Sequence, residues 1–521
     1  MIRAKSGKIA ISVLMCLLYA TGVGNSKEPR TLVVPDRYRT IQKAINAAKP
    51  GDKVYIKAGV YSEKIVLKEG VNITGEDVNK VKIECTAEIF QFAIKVKECN
   101  GCIIKDLTIR NNGQGMNGQV TGGIHVENSK AEITGCRIEN CAGCGIYITG
   151  SSSRATIRGN IFIKNDSAGI EVSEGAYGKV EDNIFYQNEW FGVHVTRNRA
   201  SADIRRNICE QNGKDGIRIS KNAEGTAEDN VCNRNGQSGI LVWETNSTVA
   251  LTGNTCRENK CDGIYVSGPD TTVRARKNIS EENVKNGIRI DGEASILAEE
   301  NVCNRNTENG LRVSGTQQTV TFKANICKGN NCDGISTREA VGVVAERNIC
   351  TDNGARGIDV WNKTSMELSE NICSSNGNEG IYFSANSRGT ARGNRCEGNN
   401  YPGIAVEEDG TSAVLIDNQC VQNNPVGIMF AKGAGGQAKG NNCAENTWSG
   451  IAVRDDLTKV DISANKCNNN GAWGIIAWAG AEPNIAGDNE TAGNWRGGIK
   501  RRGGNKQIAN RYWGGGGTGA N

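Results

Sequence analysis

The chain has 521 residues, with 62 Lys and Arg against 57 Asp and Glu and a formal net charge of +5. So small an excess over this length does not point to nucleic acid as a partner. The 37% apolar and 5% aromatic content fits a chain with a real but aliphatic core, and 20 Cys require their own account.

Residues 1–26 read as a secretory signal peptide. Arg3, Lys5 and Lys8 precede an apolar run from Ile9 to Ala20, and small residues follow to Ser26. The run is too short for a comfortable membrane span, and Met15 fits poorly before a lipoprotein cysteine at Cys16. The sequence offers no other membrane-spanning segment. The mature chain is expected to be exported, as a periplasmic, secreted or cell-surface protein, and monomeric.

Residues 27–75 read as an N-terminal cap and first coil. Thr40 is placed as an N-cap for a helix from Ile41 to Ala48, which Pro50-Gly51 stops. Ile41, Ala44, Ile45 and Ala48 form one apolar face, suited to covering an open strand edge.

Residues 76–505 read as coils of 23 or 24 residues. From Asn160 to Asn489 the template repeats fifteen times: an Asn, a core residue two places on, a second Asn three further on, a Gly four beyond that, then an alternating strand. The second Asn runs from Asn165 to Asn494 and the Gly from Gly169 to Gly498. A strict short period means one supersecondary unit stacked many times. Segments such as Gly263-Ile264-Tyr265-Val266 alternate in and out, and a second alternation, such as Val249 and Leu251, precedes each leading Asn. Three strands per coil describe an all-β chain: a single-stranded right-handed parallel β-helix, a solenoid with a short N-terminal capping helix. Asn and Gly at the corners are expected to tolerate left-handed backbone, and stacked Asn can bond along the rod. At ~4.8 Å per coil the rod is roughly 80 to 90 Å long. Coils 71 residues apart resemble each other, as NICEQNGKDGIRI at 207 and NISEENVKNGIRI at 278 show, which reads as copying of a three-coil block. Residues 506–521 read as a Gly-rich tail.

The core position after the leading Asn is Phe162 and Phe185, then a run of cysteines from Cys209 to Cys467 broken by Ser280. Eleven of the cysteines share this column. Parallel neighbours hold their Cβ atoms ~4.8 Å apart, too far for a disulfide at roughly 3.5 to 4.5 Å, so they read as buried thiols in a cysteine ladder. Two further pairs, Cys99/Cys102 and Cys141/Cys144, leave a metal site, local disulfides and plain corner residues open. No metal and no cofactor is expected.

The stretch YRTIQKAINAAKPGDKVYIKAGVYSEKIVL, residues 38 to 67, resembles the N-terminal cap of right-handed parallel β-helix proteins. That group holds pectin-methylesterase-like and pectate-lyase-like folds and NosD-like copper-maturation proteins. The coils resemble carbohydrate-binding and sugar-hydrolase repeats of the same superfamily, which also occur in F-box adaptors. The resemblance implies the fold across nearly the whole mature chain; lyases, hydrolases, epimerases and binders all share it. The chain has no Gly-His-Gly with paired Asp, no Asp-Pro-His, no F-box segment and no Gly-rich Ca²⁺ nonapeptide, and 2 His and 5 Met are few for copper handling.

Function must be written on the outer faces, because the core is spent on stacking. The outward position after each Gly-Ile pair gives a stripe beginning His125, Tyr147, Glu171, His194 and Arg218, which is the candidate catalytic set. A His or Tyr base beside an Arg suits β-elimination or epimerisation of an acidic sugar. The stripe continues through Tyr265, Arg289, Arg312 and Tyr382, and the next outward position adds Trp243, Arg338, Trp361 and Trp478. These are the candidate ligand-binding residues, since flat aromatics stack on sugar rings and Arg suits their carboxylates. The expected role is an extended binding face for polysaccharide. The alternatives are a polysaccharide lyase or epimerase, and a structural or protein-binding rod.

Overall fold

The computed structural model describes residues 28–86, 91–113, 121–246 and 248–501. The expected signal peptide and the Gly-rich tail lie outside the described residues. What is described is an all-β parallel solenoid of about nineteen turns. One coil shows the plan: strands Thr248–Thr252, Thr255–Arg257 and Ile264–Ser267, each on a different side of the rod. Each strand stacks in parallel on its counterpart one period later, with Val249 against Val273, Thr255 against Ile279 and Ile264 against Ile288. Because the period is fixed, every column of side chains runs straight along the rod.

The helix forms from Ile41 to Ala47, with the Thr40 hydroxyl accepting from the Lys43 amide. Ile41, Ala44 and Ile45 are buried in the common core.

Both Asn columns are buried and bond along the axis. The Asn254 side-chain amide donates to Asn278 Oδ1 at 3.0 Å and to the Ala227 carbonyl at 2.8 Å, and its backbone N–H also reaches Asn278 Oδ1. The second column repeats this, as Asn259 does toward Asn283. The left-handed residue is not the Asn, as the sequence pattern predicts, but the residue before it. Lys277, Glu282, Glu300 and Arg305 all have φ between 52° and 59°. Those long side chains leave the corner outward, while the Asn turns in to satisfy corner amides and carbonyls that would otherwise be unpaired. The template Gly also differs from expectation. Its backbone is ordinary, but a Cβ on Gly263 would lie 2.6 Å from Ser280 Oγ and 2.8 Å from the Gly287 carbonyl oxygen. Close approach of the next coil, not backbone freedom, selects it.

Phe162 and Phe185 stack at 4.7 Å in the core. The next residues of that column pair in register, Cys209 with Cys232 and Cys327 through Cys350, Cys373 and Cys396 to Cys420. All are buried free thiols. The hydrogen bond to the preceding cysteine of the column, with burial, raises the Cys232 and Cys256 pKa values well above that of an ordinary thiol, and burial, with the Cys327 sulfur, does so for Cys303. Cys136 and Cys141 occupy the Asn positions one coil before Asn160 and Asn165, and their amides donate to those two Oδ1 atoms. Cys144 instead faces outward, 3.8 Å from Glu171 Oε2. The described residues contain no cluster of three or more His, Cys, Asp or Glu able to hold a metal ion.

Candidate functional site

The strands that follow the template Gly build one long lateral face, three outward columns wide. The middle column holds the candidate catalytic stripe in strict register: His125 on Tyr147, Tyr147 on Glu171, Glu171 on His194, His194 on Arg218. It runs on through Leu241, Tyr265, Arg289, Arg312, Ser336 and Asp359 to Tyr382. The column beside it carries Trp243, Asp291, Arg338, Trp361, Glu407, Arg454 and Trp478.

The five candidate catalytic residues fall into two groups. His125 stacks between Phe92 and Tyr147, at 4.7 and 5.5 Å. Tyr147 is buried, and burial and then Glu171 push its phenol up to about 12. Burial lowers His125 to about 4, so this ring is neutral at physiological pH. The first group is therefore a packed aromatic stack. The second group is open to chemistry. His194 Nδ1 lies 3.5 Å from Glu171 Oε2, its Nε2 lies 3.2 Å from Ser220 Oγ, and Phe191 packs on the ring at 4.8 Å. Arg218 lies one rung on, between Phe191 and Trp243 at 5.1 Å from each.

The candidate ligand residues form a chain of guanidinium–aromatic stacks. Arg218 sits over Trp243 at 5.1 Å, Arg289 over Tyr265 at 4.9 Å, and Arg338 over Trp361 at 4.4 Å. Arg289 also pairs with Asp291 at 2.5 Å, and Tyr265 donates to the same carboxylate at 3.1 Å. Arg312 reaches Glu308 at 3.8 Å. Trp361 is 37% exposed and Trp243 half-buried. Trp478 departs from the expected outward contact surface: it is 7% exposed and meets Trp448 edge-on at 5.3 Å. From Ala405 the middle column turns apolar through Met429, Ala452 and Ile476, and Trp448 and Trp473 close over it. The polar face thus ends near Tyr382 and Glu407.

Sequence reasoning missed the third column, the residue immediately before each template Gly. It reads Asp215, Ser238, Asp262, Asn286, Asn309, Asp333, Arg356 and Glu379. An Asp-Gly or Asn-Gly pair reads as a turn, which hides the column. Its members bond from coil to coil: Asn286 Nδ2 to Asp262 Oδ1 at 2.8 Å, Asn309 Nδ2 to Asn286 Oδ1 at 2.9 Å, the Arg356 amide to Asp333 Oδ1 at 2.9 Å. Burial raises Asp215 to about 6, with Arg218 Nη1 3.8 Å away. Arg356 lies over Tyr382 at 4.3 Å and bonds Glu379 at 3.1 Å, a fourth stack of the same kind.

The model of a right handed beta helix region matches residues 63–207, 122–279, 178–326 and 313–442. The chain belongs to that family. Among solved structures, the periplasmic alginate epimerase AlgG is 16% identical with a TM-score of 0.38, covering 56% of this chain and 77% of its own. The mannuronan C-5 epimerase AlgE4 A-module of Azotobacter vinelandii is 15% identical with a TM-score of 0.24, covering 85% and 91%. The Dettilon tailspike protein is 16% identical with a TM-score of 0.40, covering 62% and 66%. No curated protein matches the sequence. Likeness at this level carries no argument about function, which has to be argued from the residues of the lateral face.

Proposed function

We propose that this face binds an acidic polysaccharide lengthwise. The four guanidinium–aromatic stacks carry the reading. They repeat along one side of the rod, from Arg218 over Trp243 to Arg356 over Tyr382. Stacking holds each guanidinium flat, and the ring edge beside it offers apolar surface to a sugar; Arg289 and Arg356 are already engaged by Asp291 and Glu379, so Arg218 and Arg338, whose acidic neighbours lie at 3.8 and 3.6 Å, are the ones to meet a sugar carboxylate. Export fits this role, because residues 1–26 carry the charged, apolar and small-residue order of a secretory leader. The helix Ile41–Ala47 would then cap the N-terminal opening of the rod, its buried Ile41, Ala44 and Ile45 shielding the first coil from water.

Sodium polygalacturonate tests the reading. It should quench Trp fluorescence, less so at high salt, and Trp361→Ala should weaken binding by ~1 to 3 kcal/mol with the melting temperature nearly unchanged. Unchanged affinity in Trp361→Ala would remove the face from consideration.

The Glu171–His194 contact favours a second reading, a lyase or epimerase. Glu171 would orient His194 to take the proton next to a uronate carboxylate, which Arg218 would neutralise. Ultraviolet absorbance of an unsaturated product would establish a lyase, and solvent deuterium entering the carbon next to the carboxylate without such a product an epimerase; either signal should be lost in His194→Ala.

A further inference from the structure

A second side of the rod carries an aliphatic stripe. It is the outward position directly after each leading Asn, on the strands that hold the cysteine column, and it runs in register over ten coils from Ile161 to Ile372. Nine of the ten residues are Ile or Val, and five of them are 37 to 40% exposed. Stacking does not require them. The same position is Arg395, Gln419, Asn442 and Lys466 in the coils that follow, and these pair in parallel all the same. A strip of branched apolar side chains about 43 Å long is unfavourable in water, and it marks a contact surface.

The stripe is palindromic. From Ile161 inward come three Ile and then Val231; from Ile372 inward come three Ile and then Val302; Thr255 and Ile279 stand in the middle. A two-fold axis lying across the rod between Thr255 and Ile279 turns a second copy end for end. Each residue then meets the one equally far beyond the middle in its own column, so Ile meets Ile and Val meets Val. The flanking columns obey the same symmetry with opposite charge. In the column after the cysteines, Glu210 meets Lys328 of the second copy, Asn233 meets Asn304, and Arg257 meets Glu281 beside the axis. In the column before the leading Asn, Asp182 meets Arg347. The one like-charge meeting in these two columns is Asp229 with Glu300, and Glu300 is already paired with Arg276 at 3.3 Å and Lys277 at 3.6 Å. Within each chain the charges alternate and pair, as Arg257 does with Glu281 at 2.9 Å and Lys328 with Asp352 at 3.4 Å, so the rims meet as neutral rows.

We propose that two copies of this chain pair antiparallel along the stripe, with the two-fold axis between Thr255 and Ile279. The pair replaces the monomer expected from the sequence. The contact is about 43 Å long and, across its three columns, about 13 Å wide, or about 560 Å² from each copy. Counted over both copies this just clears the ~1,000 Å² that a specific interface needs, which makes the dimer a reversible one. Arg137 and Arg395, each paired with a Glu two residues on, end the apolar run on either side and set its length. The strands bearing Arg218 to Tyr382 lie on another side of the coil and take no part in the contact.

Sedimentation velocity over a range of protein concentrations tests the pairing. Wild-type protein should reach twice the mass of one chain at micromolar concentration. Ile349→Lys places a charge opposite Ile184 in both halves of the dimer. It should raise the dissociation constant by on the order of a hundredfold with cooperative melting retained, since Lys466 holds the same position later in the rod. Glu210→Lys and Lys328→Glu should each weaken the dimer about tenfold, because like charges then face each other twice, and an equimolar mixture of the two variants should regain wild-type affinity. A mixture no tighter than its components overturns the antiparallel register. Wild-type protein that stays monomeric to submillimolar concentration overturns the dimer, and so does a dimer that survives Ile349→Lys. Flotation of such a monomer with phosphatidylcholine vesicles would give the stripe to a lipid surface instead. The wild-type mass and the charge-exchange mixture decide the matter even if Ile349→Lys fails to fold.

Discussion

An aspartate that keeps its proton to about pH 8 is a liability to the fold. Asp359 ionises near 3.8 in the unfolded chain and near 8 in the folded one, because burial and the Asp333 carboxylate disfavour its charge. The folded state therefore binds the extra proton across that window, and linkage makes stability fall as pH rises through it. Asp359→Asn removes the titration. The variant should melt higher than wild type at pH 8 and above, with the difference shrinking toward pH 4, as scanning calorimetry across pH would record. A wild type whose melting temperature matches that of the variant at every pH would show that the proton is not there. The middle column was legible in the sequence because His125 to Tyr382 recur at a fixed offset from the Gly-Ile pair. Side-chain burial was not legible. Tyr147 lies buried beside the stack of Phe92 and His125, and Trp478 is closed over by Trp448, contacts made by residues from other parts of the coil. The column before each Gly stayed hidden for another reason: Asp333-Gly334 has the look of a turn until its side chain is seen against Arg356.

At the scale of one coil, the two Asn positions act as internal corner posts. Asn306 shows what each one holds. Its side-chain N–H groups donate to the Ser280 carbonyl and to Asn330 Oδ1, both at 3.0 Å, and its Oδ1 accepts from the Asn283 amide and side chain. Asn306→Ala strands several buried partners at once. At about 1 to 3 kcal/mol for a buried group left unpaired, the substitution should cost about 4 kcal/mol. Ser374→Ala, an outward position on a strand of the same kind, should stay within about 0.5 kcal/mol. Urea unfolding midpoints compare the two, and equal midpoints would refute the role given to the Asn. The fold itself was legible because this requirement repeats every 23 or 24 residues and tolerates no substitute over fifteen coils. What the pattern could not reveal is why each residue recurs. The left-handed strain falls on Lys277 and Glu282 rather than on the neighbouring Asn, at a cost of roughly 1 to 2 kcal/mol per residue, and the Asn bonds offset it. The Gly is kept because Ser280 and the next coil leave no room for a Cβ on Gly263.

Taken whole, the molecule is a ruler. Each coil contacts its neighbours alone, and each adds ~4.8 Å, so the lateral face has fixed spacing and little capacity to close round a ligand. Affinity must then accumulate along the face rather than in a pocket. From Arg218 to Tyr382 the middle column advances seven rungs, about 34 Å. Beyond Tyr382 the column is apolar and closed over by Trp448 and Trp473, so a bound chain gains nothing by extending there. Size-fractionated oligogalacturonides should therefore bind more tightly with each added sugar until they span about 34 Å, and then level off. Calorimetric titration of the series measures this directly. Trp243→Ala, at the start of the polar run, should weaken long oligomers and spare those short enough to seat on the four rungs from Arg289 to Tyr382, about 19 Å. Trp361→Ala should weaken both. A series that levels off at two or three sugars would instead mean a local pocket, and the extended face would not be the determinant of binding.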